Sequence, residues 1–203
     1  MQTILAATGE SIENVNKQLE KLVWFTDETS YNFTDMVSSI GKFTSNGIEL
    51  EPAVDAMQGI ATWAAISGAN ATTASMAMNQ LSHALAAGSV KLMDWRSIEG
   101  YNMSTEEFKK TVLETAAAMG TLKKQADGTY KTIKSKGKKS VTVTTTSFSQ
   151  ALDSGFFTSD VLMKSLERYG GFATLLKEAQ DFAGIDVASK MLDYLTEFKE
   201  ETL

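Results

Sequence analysis

The chain has 203 residues, 43% of them hydrophobic and 22% charged, an ordinary globular mix that can bury a core in one large domain or two small ones. It holds no cysteine, one histidine and a net charge of −6, which excludes disulfides and thiolate metal sites and argues against a nucleic-acid partner, because phosphate binding needs a basic surface. The single proline, Pro52, leaves nearly all of the sequence free to form helix, and 14 glycines are spread along it to stop helices.

Met1 to Glu10 lacks a basic flank ahead of an apolar stretch, so no signal peptide is expected. Ile12, Val15, Leu19 and Leu22 share a helical face, with Ser11 placed to cap it and TDETSYNF placed to end it near Thr26. Thr34 or Asp35 should open a second helix carrying Met36, Val37, Ile40 and Phe43, which Asn46-Gly47 terminates. Pro52 fits a first helical position, followed by Met57, Ile60, Ala61 and Ala64 on one face and Gly68 at the end. The longest apolar run, around Ile60 to Ile66, is far shorter than the roughly 18 residues of a membrane span, so a soluble chain without a span is expected.

Asn70 can cap the next helix, whose face is Ala74, Met78, Leu81 and Leu85 and whose stop is Gly88. A short helix over Leu92 to Glu99 precedes Ser104-Thr-Glu-Glu107, which has the form of a capping box and leads into a stripe of Phe108, Val112, Ala116 and Met119. After the turn signal Asp127-Gly128, two β-branched runs, Thr129 to Lys134 and Ser140 to Thr146, read as a β-hairpin. Helix resumes at Phe148 to Leu152, breaks at Ser154-Gly155, and restarts at Thr158 or Ser159 with Leu162, Leu166 and Tyr169. Gly170-Gly171, a segment from Phe172 to Phe182 and a last one from Asp186 with Val187, Met191, Leu195 and Phe198 complete it. The expected fold is mainly α, a bundle-like arrangement of short helices with one hairpin near 129–146. The hairpin at 127–146 divides a helical region 1–126 from a region 147–203, either as separate units or within one domain. There is no exact internal repeat.

No catalytic, cofactor or metal constellation emerges. His83 sits between Ser82 and Ala84, without the neighbours that a triad or zinc site needs, and reads as an ordinary surface or half-buried histidine. Glu106-Glu107 opens a helix, where negative charge suits the macrodipole, and Glu200-Glu201 lies at the chain end; neither makes a convincing acid pair. Lys131, Lys134, Lys136, Lys138 and Lys139 form the basic cluster, lacking a P-loop frame and reading as a solvated tip that protects β edges, with attraction to an acidic partner as the functional alternative. Trp63 is expected in the core among small neighbours; core also leads for Trp24-Phe25, although Trp24 is the better candidate for a contact surface, and Trp95 is the third tryptophan. The run GIATWAAISGANATTASMAMNQLSHALAAG is dense in small residues, which let helix backbones approach closely.

The same stretch, within residues 56–120, resembles the core region of phage tail tape measure proteins. Leu19 to Met36 (LEKLVWFTDETSYNFTDM), Lys91 to Glu99 (KLMDWRSIE) and Gly155 to Leu162 (GFFTSDVL) are similar to segments of that family, so the likeness runs from about 19 to about 170. These are packing motifs and transfer no active residues. The resemblance implies a non-enzymatic structural protein of a phage or prophage tail, made in the host cytoplasm, lying in the tube lumen and acting in tail assembly and length determination. It implies tail tube and tail-tip proteins, tail assembly chaperones and self-association as partners, and no cofactor. Family members are usually longer, so a fragment is expected. The alternatives are a helical domain of a tail-associated peptidoglycan-degrading enzyme, which would need a paired acid in a cleft, and an adaptor of a phage-like contractile or secretion device.

Overall fold

The computed structural model describes residues 2–27, 32–133 and 140–169, with Trp24 described by its backbone alone. Seven helices follow one another before any strand: α1 Gln2–Thr8, α2 Ile12–Asp27, α3 Phe33–Ser45, α4 Leu50–Ile66, α5 Ala71–Ala86, α6 Leu92–Gly100 and α7 Glu106–Ala118. A small sheet comes next, β1 Leu122–Lys124, β2 Tyr130–Thr132 and β3 Thr142–Val143, then α8 Phe148–Ala151, which tightens into a 3-10 turn at Leu152–Ser154. Residues 159–169 form α9. The segments from Gly170 onward, including Glu200-Glu201, lie outside the described residues, as do Lys134, Lys136, Lys138 and Lys139.

The apolar stripes read from the sequence are the buried faces. Val15, Leu19 and Leu22 of α2, Met36, Ile40 and Phe43 of α3, Met57, Ile60, Ala61 and Ala64 of α4, and Ala74, Met78, Leu81 and Leu85 of α5 all lie in one hydrophobic core. Two ends of the stripes do not: Ile12 is 63% exposed and Met119 43% exposed, because each occupies a helix terminus where no neighbour covers it. Chain reversals fall where glycine enters the left-handed region, for example Gly88 at φ 75°.

Several local expectations shift by a residue or two. Ser11 does cap α2, its Oγ accepting the Asn14 amide at 3.1 Å. The cap of α3 is Asn32, whose Oδ1 accepts the Asp35 amide at 3.2 Å, so the helix opens before Thr34. Pro52 is the third residue of α4, a position whose amide has no intrahelical carbonyl to reach, so it is tolerated there as well as at the first. At α7 the cap is Thr105, its Oγ1 accepting the Phe108 amide at 3.2 Å; with Phe108 in the third helical position, the box expected from Ser104 and Glu107 does not form. A carboxylate does reach back at α6, where Asp94 Oδ2 accepts the Lys91 amide at 2.8 Å.

The hairpin is present but has a third strand. β2 pairs antiparallel with β3, Tyr130 opposite Val143, and β1 adds on the other side, Leu122 opposite Thr132 and Lys124 opposite Tyr130. The β1 sequence, Leu-Lys-Lys, has no β-branched residue and gives no strand signal of its own; the Asp127-Gly128 turn folds it back onto β2.

Candidate interaction surface

An aromatic cluster forms the centre of the molecule. Trp63 of α4 stacks on Phe108 of α7 with ring centroids 3.6 Å apart and planes 10° from parallel. Trp95 of α6 meets Phe148 at 4.7 Å and Phe157 at 6.1 Å, and Tyr169 of α9 meets Phe108 at 5.7 Å. Trp63 and Trp95 are both fully buried, so neither ring is available to a partner. Phe25, next to Trp24, is also in the core.

The sequence phrases that carry the family likeness each have a packing duty. Asp94 of KLMDWRSIE holds the start of α6 and accepts the Gln80 amide group at 2.8 Å, tying α5 to α6, while Glu99 accepts the Ser149 hydroxyl at 2.7 Å and ties α6 to α8. In GFFTSDVL, Phe156 and Phe157 enter the core, and Thr158 Oγ1 accepts the Val161 amide at 3.2 Å to start α9. The Val90 amide donates to the Phe157 carbonyl at 2.9 Å and the Ser159 amide to the Gly88 carbonyl at 3.0 Å, tying GFFTSDVL to the turn just before KLMDWRSIE. Gly59, inside the small-residue run, is the point of closest approach: a Cβ there would lie 2.3 Å from the Leu166 carbonyl oxygen.

The polar candidates are dispersed. His83 is exposed on α5. Glu106 is exposed in the first turn of α7, with Lys109 Nζ at 2.7 Å; hydrogen bonds from Lys109, then from the Thr145 hydroxyl, hold its carboxyl below the usual carboxylate range. Half-buried Asp55 of α4 has its carboxyl pushed up by burial, with Lys21 opposing and Glu51 and Glu167 adding to the rise. Among the described residues no three His, Asp or Glu side chains are grouped to hold a metal ion. Two shallow hollows, of about 220 Å³ beside Asn32, Met36 and Ser75 and about 380 Å³ beside Ile4, Val37 and Gly41, bring no acid–base pair together. No helix of the described residues is long and apolar enough to cross a membrane.

The described surface carries charge beside scattered exposed apolar side chains such as Met93. Lys131 lies exposed on β2 opposite Lys123 of β1, and Glu13, Glu20 and Asp27 lie exposed along α2.

A family described as tape measure protein matches residues 1–124, more than half of the 203-residue chain. Comparison with curated proteins and with solved structures finds no match. The chain belongs to the tape measure protein family, a family of phage tail structural proteins and not of enzymes.

Proposed function

We propose that this chain is a folded docking module of a tape measure protein, contributing to tail assembly and length determination from within the tail tube after synthesis in the host cytoplasm. Its partners are tail tube and tail-tip proteins, with tail assembly chaperones acting before incorporation. The observation that carries this reading is that the apolar stripes are used up inside the chain: α2 to α5 and α7 bury theirs in one core. An extended rod would leave those stripes exposed, and a helix of this length would span roughly 300 Å at 1.5 Å per residue. Residues 147–169 belong with 1–126 in one unit on this view, because Leu166, Phe157 and Tyr169 pack on Gly59, Trp95 and Phe108.

Deleting the region in frame from a phage genome tests the proposal. The expected outcome is absent or malformed tails. Viable phages with tails shorter by about 300 Å would show instead that the segment lies extended along the tube and acts as ruler.

A further inference from the structure

The exposed face of the sheet has an unusual makeup. Lys123 and Lys131 are directly opposed across β1 and β2, and Thr142 continues the row on β3. Directly opposed residues of an antiparallel pair point to the same side of the sheet, with Cβ atoms about 5 Å apart, and like charges so placed repel. All three are exposed, and Ile133, two residues beyond Lys131 on the same side, is 56% exposed. The opposite side, with Tyr130, Thr132 and Val143, is buried.

The ion pairs of the described residues are Lys21–Glu51, Glu106–Lys109, Lys164–Glu167 and Glu114–Arg168, and none involves Lys123 or Lys131. Asp127 feels the charge of Lys131, but its carboxylate is occupied at the turn by the Thr129 amide at 3.0 Å and hydroxyl at 2.7 Å. The face therefore concentrates positive charge beside an exposed apolar side chain, in a chain whose net charge is −6.

A complementary surface exists on the same molecule. Residues 1–60 hold nine carboxylates against three lysines. On α2, Glu13, Glu20 and Asp27 recur every seventh residue, which sets them on one stripe about 10 Å apart. Val23, 43% exposed, sits between Glu20 and Asp27, and none of these three carboxylates has an ion-pair partner among the described residues. Lys17 borders the stripe between Glu13 and Glu20, so the part beyond it runs from Glu20 through Val23 to Asp27.

We propose that the Lys123–Lys131 face of one copy docks on the Glu20–Val23–Asp27 stripe of α2 in a second copy, with Ile133 against Val23. The contact is heterologous, joining two different surfaces, so repeated use gives a ring or an open row of copies. A face of three short strands is smaller than the roughly 800 Å² per partner of a stable complex. Self-association is therefore weak, and salt screens it. Duplex nucleic acid is disfavoured by the overall negative charge, and single strands by the lack of an aromatic side chain on the exposed face. This contact does not depend on the tail-docking role, and its test uses the purified chain alone.

Sedimentation velocity of the full chain decides it. The average mass should rise with protein concentration at about 30 mM salt and return to the monomer at about 500 mM. Lys123→Glu/Lys131→Glu and Glu20→Lys/Asp27→Lys variants, each with wild-type circular dichroism, should be monomeric when alone and associate when mixed one to one, because each then supplies the charge the other lost. A wild-type chain that stays monomeric at every concentration overturns the proposal, as does a variant mixture that remains monomeric. Salt-sensitive retardation of duplex DNA by the wild-type chain without self-association also overturns it, and assigns the lysine face to phosphate.

Discussion

At the scale of single residues, Gly59 and Asp55 show what helix α4 must reconcile. Gly59 has no side chain because the Leu166 carbonyl occupies the space, 2.3 Å from where a Cβ would sit. The opposing atom is backbone, which cannot rotate away, so Gly59→Ala should cost about 1–3 kcal/mol through overpacking despite the gain in helix propensity. Urea denaturation checks it, and an unchanged midpoint would mean that α9 shifts freely. One turn earlier in α4, burial raises the Asp55 carboxyl above its ordinary range. A folded-state value above the unfolded one means that the folded chain holds this proton more tightly. The contribution to stability is then full below the unfolded value and is lost as pH rises through the folded one. Asp55→Asn, which keeps the neutral form at every pH, should raise the thermal midpoint near pH 7 and leave it nearly unchanged near pH 3. A lower midpoint near pH 7 would show that attraction to Lys21 outweighs burial. The sequence flagged the small residues around Gly59 as a close-approach region, but not the partner, since Leu166 is more than a hundred positions away.

At the scale of elements, helices were legible wherever a periodic apolar face met a glycine stop, because both signals are local. Strand β1 was not, since Leu-Lys-Lys becomes a strand only by pairing with β2. Caps were legible to within a residue or two, and α7 shows why they were no closer. Ser104 and Thr105 are both competent caps, and the choice falls to Thr105 because Phe108 and Val112 must face the core. Replacing Thr105 by Ala should therefore cost about 1 kcal/mol while Ser104→Ala costs little. A larger loss at Ser104, measured by the same unfolding curve, would restore the box that the sequence suggested. The surface was the least legible part. The lysine cluster was visible as composition, but the opposition of Lys123 to Lys131 required the β1–β2 register, and Trp63 and Trp95 stand out equally in the sequence whether they bind or pack.

At the scale of the molecule, the family match ends at residue 124, yet the aromatic core does not. Phe148, Phe157 and Tyr169 complete the packing around Trp95 and Phe108. A fragment cut after residue 126 should thus lack a cooperative unfolding transition, whereas one cut after residue 169 should fold, with a scattering radius of gyration near 15 Å, the value for a compact chain of that size. A cooperative transition in the shorter fragment would separate the two regions as independent units. The Gly59–Leu166 contact also has a consequence in time. A ribosome adding about 5–20 residues per second needs roughly 5–20 s to travel from one of these positions to the other. In the later part of that interval α4 to α7 have been made but α9 does not yet exist to pack on them. Each nascent copy therefore passes through seconds in which Trp95 and Phe108 lack the cover that Phe157 and Tyr169 later give them, and several such copies growing side by side on one messenger would meet first through those rings.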